Sequence, residues 1–152
     1  MKKKIWLILA VLALVLYFRP LSFPELSYDG DGTLTVLKVE LSIRDGSPHM
    51  TSIRYSLSEG SPEAEAIGTI LERSSYRRAL RSPFPNADLD GNDAGYWLHI
   101  WGSDLYFNSG GTGEINLNDR VYRMGWFGNR SNLAFMEELA AVLAEAEPVE
   151  IS

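Results

Sequence analysis

The chain has 152 residues and no cysteine, and its 14 Lys and Arg stand against 20 Asp and Glu, a formal net charge of −6 at pH 7. This length suits one domain with a hydrophobic core. The negative charge argues against nucleic acid as a partner, because binding phosphates needs a positive field. The lack of cysteine excludes disulfides, thiolate catalysis and cysteine-based zinc sites.

The N-terminal segment has the pattern of an export signal. Lys2, Lys3 and Lys4 precede an unbroken apolar run over residues 5–18, and a basic start followed by a short apolar stretch is typical of such signals. Ala10 and Ala13 are three residues apart rather than two, which disfavours cleavage. We therefore predict an uncleaved signal-anchor over residues 1–19, in a single-pass protein of the cell membrane whose C-terminal domain lies outside the cytoplasm. A cleaved segment would make the protein secreted.

The length of this segment argues against a membrane span. Its 14 apolar residues reach about 21 Å as a helix, less than the roughly 30 Å of a hydrocarbon core. Snorkelling of the lysines on one side and Arg19 on the other would close that gap.

The rest of the chain divides into a spacer and one domain. Residues 20–32 contain Pro20 and Pro24 and are predicted to be extended, and residues 33–152 are predicted to form a single extracytoplasmic α+β domain. Apolar and polar residues alternate from Leu37 to Arg44, which predicts a half-buried strand within residues 33–44. A turn at residues 45–48 leads to a second strand over about residues 50–57.

A helix is predicted to begin after Ser61. Ser61 suits the N-cap position, and Pro62 suits the first helical turn. A second helical turn is expected over residues 76–80, followed by a long loop over residues 82–95. Four arginines between positions 73 and 81 have helical spacing. They either dock a carboxylate or phosphate group or stabilise the helix C-terminus as solvated cations. They are Arg73, Arg77, Arg78 and Arg81.

A hairpin over residues 96–108 is the sharpest local pattern. Gly102 and Ser103 fit a two-residue type II′ turn, which would place Trp101 opposite Asp104 and His99 opposite Tyr106. One face then carries aromatic side chains with polar tips, as binding platforms for sugars or peptides do. Ordinary packing beneath the N-terminal strands or the 82–95 loop is the alternative. The candidate binding residues on this face are Trp97, His99, Trp101, Asp104 and Tyr106.

The predicted elements end with a second hairpin and a helix. A two-residue turn at Asn118 and Asp119 would pair Glu114 with Arg123 as a cross-strand ion pair, and the closing helix covers about residues 132–146. The order predicts an α+β fold. It consists of an antiparallel meander sheet of about five to six strands with two main helices packed on one face, preceded by an N-terminal membrane anchor helix.

Two groups of residues could carry chemistry. Asn86, Asp88 and Asp90 resemble the first half of an EF-hand loop and form a candidate calcium site. A polar surface loop is the alternative, because the twelfth position holds Trp97 rather than glutamate. His99 near Asp104 could act as an acid–base pair, although the chain lacks the Gly-x-Ser-x-Gly nucleophile motif.

Three short segments resemble a family of small signal-anchored uncharacterised proteins of Gram-positive bacteria. They are the Lys2–Lys4 start with its leucine-rich continuation, Ser75-Tyr76-Arg77-Arg78-Ala79-Leu80 and Arg120-Val121-Tyr122-Arg123. The resemblance covers the chain in outline, and the family carries no assigned activity or site to transfer.

These observations predict a non-enzymatic, membrane-tethered, extracytoplasmic binding module. Its expected partners are the membrane, through residues 5–18, and an envelope component or a protein, with no nucleic acid. No cofactor is expected, apart from calcium as an option. The alternatives are a hydrolase that uses His99 and Asp104, or a calcium-stabilised structural domain.

Overall fold

The computed structural model describes residues 2–81, 91–126 and 128–152. In these ranges the chain forms three helices and nine strands. The helices are α1 (Lys2–Tyr17), α2 (Pro62–Arg73) and α3 (Arg130–Glu145). The strands are β1 (Leu21–Ser22), β2 (Thr33–Arg44), β3 (Ser47–Ser58), β4 (Ser75–Arg78), β5 (Tyr96–Gly102), β6 (Leu105–Ser109), β7 (Glu114–Leu117), β8 (Arg120–Met124) and β9 (Glu150–Ile151).

The nine strands form one sheet in which every neighbouring pair is antiparallel. Their order is β1-β4-β8-β7-β6-β5-β2-β3-β9. Tight hairpins join β2 to β3 and β7 to β8. The two turn residues of each hairpin, Asp45-Gly46 and Asn118-Asp119, all have positive φ. Such turns match the right-handed twist of the strands that they connect, so local sequence sets the register of both hairpins.

Helix α2 begins where the sequence predicts. The Ser61 side-chain oxygen accepts a hydrogen bond of 3.2 Å from the backbone N–H of Ala64, and Pro62 is the first helical residue. The cap satisfies an N–H group that has no partner within the helix. The helix ends at Ser74, whose backbone is extended. This extended residue turns the chain directly into β4.

One hydrophobic core lies between the sheet and the helices α2 and α3. Phe107 of β6 is fully buried at its centre, and its ring lies 6.0 Å from that of Phe23 and 5.7 Å from that of Phe135. Leu71 of α2 and Leu139 of α3 belong to the same core. The core therefore joins the segment before β2, the middle of the sheet and both of these helices.

The sheet is larger than the sequence predicts, so the prediction of five to six strands was wrong. The three additional strands, β1, β4 and β9, have only two to four residues, too few to show an alternating pattern. The predicted spacer over residues 20–32 contains β1, and its Phe23 is part of the core. The helical turn predicted over residues 76–80 is also wrong, because Tyr76 pairs with Leu21 and Met124 in strand β4.

The predicted membrane anchor helix and the single-pass membrane location were wrong. Among the described residues, no helix has both the length and the apolar character needed to cross a bilayer. Helix α1 has 16 residues, or about 24 Å against a hydrocarbon core of roughly 30 Å. The physical reason is the length deficit that the sequence already indicated.

Candidate functional site

The β5–β6 hairpin has a different turn from the one predicted. Gly102 pairs with Leu105, so the two turn residues are Ser103 and Asp104. Gly102 lies in β5, against the backbone carbonyl of Ser27, where a Cβ atom would have no room. The segment before β2 therefore requires this glycine, and the turn does not.

The predicted hairpin face is retained despite the changed register. Trp101 lies opposite Tyr106, and His99 lies opposite Asn108. The partner of each β5 residue lies two residues farther along β6 than predicted, and such an even shift leaves every side chain on the same face. Four of the five predicted binding residues therefore share a face, while Asp104 lies in the turn.

Only part of this face is accessible. Trp97 is half-buried, and its indole packs within 3.0 Å of the position that a Cβ atom on Gly110 would take. Trp101 is also half-buried, whereas Tyr106 is 37% exposed beside it. Partner binding by Trp101 and Tyr106 stays a prediction.

The candidate acid–base pair is not assembled. His99 lies in the middle of β5 opposite Asn108, and Asp104 lies in the turn at the far end of the hairpin. Burial lowers the pKa of His99, because a low-dielectric environment disfavours the charged imidazolium. The arrangement makes His99 a neutral strand residue at pH 7.

This burial predicts a pH-dependent stability. At pH 7.5, His99 is mostly neutral in both the folded and the unfolded chain, so it contributes little pH dependence there. Below that pH the unfolded chain binds a proton that the folded protein resists, and the free energy of unfolding falls. Urea denaturation from pH 7.5 to 5 should therefore show a smaller decline for His99→Gln than for the wild type. The matched variant His49→Gln, at an exposed site of β3, should keep the wild-type decline; equal slopes in all three proteins would contradict this origin.

The calcium candidates Asn86, Asp88 and Asp90 lie outside the described residues. Within residues 2–81, 91–126 and 128–152, no group of three or more His, Asp or Glu side chains is placed to hold a metal ion.

A cavity of about 560 Å³ lies at the β4–β8–β7 end of the sheet, and we call it the arginine pocket. Four arginines and one glutamate line it, together with apolar residues and glycines. The lining residues are Phe18, Arg77, Arg78, Ala79, Leu80, Arg81, Glu114, Arg123, Gly125, Trp126 and Gly128. An excess of positive charge is unusual in a chain with a net charge of −6.

Strand pairing creates this concentration of charge. Arg77 of β4 lies directly opposite Arg123 of β8, and Glu114 of β7 lies opposite Arg123 on its other side. Side chains of directly opposite residues share a face and lie close together, and like charges in such positions are destabilising. The predicted register, with Glu114 opposite Arg123, is confirmed, but the predicted ion pair between these two residues is wrong, because the Glu114 carboxylate pairs with Arg81.

The Glu114 carboxylate forms its ion pair with Arg81, which is neither of the two opposed arginines. It accepts a hydrogen bond of 2.6 Å from Nη2 of Arg81. The Arg77 guanidinium lies 3.8 Å from the centre of the Trp126 ring. Within the described part of the chain, the buried Nε atoms of Arg77 and Arg123 make no hydrogen bond. Arg77 and Arg123 are thus opposed on neighbouring strands, and each has a buried Nε atom without a hydrogen-bond partner among the described residues.

The end of α1 forms one wall of the pocket. Tyr17 donates a hydrogen bond of 3.1 Å from its hydroxyl to the carbonyl of Ala79, and Phe18 lines the cavity. The Arg78 guanidinium lies 5.5 Å from the centre of the Tyr17 ring. The N-terminal helix is therefore docked beside the pocket through the aromatic residues at its C-terminal end.

Sequence reasoning found part of this site and missed the rest. It identified Arg77, Arg78 and Arg81 as a possible anion dock but placed them on a helix, and it missed the contributions of Arg123 and Trp126. The predicted pairing of Glu114 with Arg123 was the one signal that pointed to this end of the sheet. The fourth predicted arginine, Arg73, lies on α2 in an exposed ion pair with Glu138.

No protein-family model, curated protein or solved structure matches this chain. The resemblance to signal-anchored proteins of Gram-positive bacteria stays a prediction, and function is inferred from the geometry of the site.

Proposed function

We propose that this protein is a non-enzymatic binding module that recognises an anionic group of its ligand through the arginine pocket. The observation that carries this proposal is the direct opposition of Arg77 and Arg123 on neighbouring strands, with the nearby carboxylate already bonded to Arg81. An anion bound beside the two arginines would offset their like charge.

The chemistry of arginine supports an anionic ligand. A guanidinium group is planar and stays charged, and its N–H groups form a fork that matches the oxygens of a carboxylate or a phosphate. The two groups are half-buried, so salt screens their interaction with a bound anion less than at an open surface. The strand backbone also holds the two residues in register, which limits the cost of ordering them.

The absence of an assembled acid–base pair favours binding over catalysis. Asn108, and not a carboxylate, lies opposite His99. A hydrolase would also need a positioned nucleophile beside a base. The arginine pocket contains guanidinium groups and one ion-paired glutamate, a set that holds an anion without moving protons.

Arg123→Gln should weaken anion binding at least about tenfold, because charge-assisted hydrogen bonds contribute roughly 1.5–3 kcal/mol each. The measurement is an NMR titration of the full chain at low ionic strength, with sodium acetate and inorganic phosphate as separate probes. The arginine Nε–Hε resonances of Arg77 and Arg123 report binding at the pocket itself.

The matched control is Arg73→Gln, which removes the same charge from the exposed end of α2. It should bind both probes as the wild type does. The melting temperature of Arg123→Gln should not fall, because the substitution removes a like-charge opposition. The proposal is wrong if the wild type binds neither probe, or if both variants lose affinity equally.

A further inference from the structure

We infer that the ligand of the arginine pocket is an amphiphilic carboxylate, with a charged head at Arg77 and Arg123 and an apolar body along the pocket rim. This inference rests on the proposed function, because it names the class of ligand that the same site takes. Three features of the pocket support it: its exposed apolar rim, the carboxylate–arginine pair that it already contains and its volume.

The rim of the pocket exposes large apolar side chains. Leu80 is 82% exposed and Trp126 is 66% exposed, and both line the cavity together with Phe18. Apolar side chains next to a cationic site offer a place for the apolar part of a ligand, because burying both surfaces removes them from water. The charged and apolar parts of the lining thus match the two parts of an amphiphile.

Glu114 shows which type of head suits the arginines of the lining. Its carboxylate already occupies Arg81, so the opposed Arg77 and Arg123 are the pair left for the head of a ligand. A carboxylate carries one charge and can accept from both arginine forks. Glu114 itself illustrates this fit, since its Oε2 accepts from a guanidinium N–H at 2.6 Å.

The cavity has room for such a molecule. Its volume of about 560 Å³ lies within the roughly 300–1,000 Å³ that small-molecule sites usually have. A carboxylate group alone would leave most of this cavity unfilled. A medium-length acyl chain would fill the space between the two arginines and the exposed rim.

The test is an NMR titration of the full chain with four probes, namely acetate, octanoate, 1-octanol and octyl phosphate, below their aggregation concentrations. Octanoate should bind on the order of 100-fold more tightly than acetate, because each buried methylene adds to affinity. Octanol, which has no charge, should bind much more weakly than octanoate. The Nε–Hε resonances of Arg77 and Arg123 should shift with octanoate.

Two variants test whether the apolar part of the ligand contributes to binding independently of its charged head. Leu80→Ser should weaken octanoate binding about three- to tenfold, a larger loss than it causes for acetate. The matched control Ile43→Ser changes a residue that is 77% exposed at the tip of the β2–β3 hairpin, and it should change neither affinity. If octanoate binds instead to the exposed apolar surface of α1, its affinity will be equal in the wild type and in both variants. That result would count against the inference.

The outcomes distinguish the two proposals. If octanoate binds no better than acetate, the amphiphile inference fails and the anion site stands. If octyl phosphate binds tenfold more tightly than octanoate, the carboxylate assignment fails. If octanol matches octanoate, or if none of the three anions binds, the proposed function fails as well.

Discussion

Phe107→Ala should lower the free energy of unfolding by about 3–5 kcal/mol. The Phe107 ring is fully buried and contacts Phe23 and Phe135, so truncation leaves a cavity lined by residues from three separate parts of the chain. Rigid neighbours from the sheet and from α3 can refill only part of that space. Chemical denaturation monitored by circular dichroism measures the loss.

The neighbouring residue provides the matched control. Tyr106 is on the same strand but points to the other face, where it is 37% exposed, and Tyr106→Ala should cost about 1 kcal/mol or less. Similar losses for the two substitutions would mean that the two faces of β6 are wrongly assigned. A loss under about 1 kcal/mol for Phe107→Ala would contradict its place at the centre of the core.

Asn132→Ala should lower the free energy of unfolding by about 2–4 kcal/mol, because buried polar groups would lose their partners. The Asn132 side chain is fully buried in α3. Its Oδ1 accepts hydrogen bonds of 3.1 Å from the Ser109 hydroxyl and of 3.1 Å from the backbone N–H of Gly113. Its Nδ2 donates to the sulfur of Met124 at 3.3 Å. These bonds tie α3 to the connection that leads into β7.

Asn129→Ala tests whether burial is the cause. The Asn129 side chain donates a hydrogen bond of 2.7 Å to the Asp93 carboxylate in an exposed position, where water can replace the lost bond. Its loss should cost about 1 kcal/mol or less, measured by the same denaturation. The network at Asn132 would be unimportant if both asparagine variants lost the same stability. Because Gly113 directly precedes Glu114, the Asn132 variant should also broaden the NMR signals of the arginine pocket.

The elements with strong local patterns were the ones that sequence reasoning could predict. The alternation from Leu37, the cap at Ser61 and the turn at Asn118-Asp119 each have a cause within a few residues. The same holds for the two faces of the β5–β6 hairpin, because alternation survives an even change of register. The turn itself was mispredicted, since Gly102 is needed by a distant contact with Ser27.

The errors concern segments whose conformation depends on distant partners. Residues 75–78 are extended because they pair with β1 on one side and with β8 on the other. Arginine spacing suggested a helix there, and no local pattern opposed it. The apolar start of the chain matched an export signal, but the length of α1 does not meet the requirement for a membrane-spanning helix.

The sequence by itself determined the acidic, cysteine-free character of the chain, the long β2–β3 hairpin, the start of α2 and the turn at Asn118-Asp119. Each of these follows from composition or from interactions between residues close together in the chain. Only the tertiary structure decided that Arg77 lies opposite Arg123, since 46 positions separate them and strand pairing alone brings them together. The arginine pocket exists because the sheet pairs like charges that the sequence keeps apart.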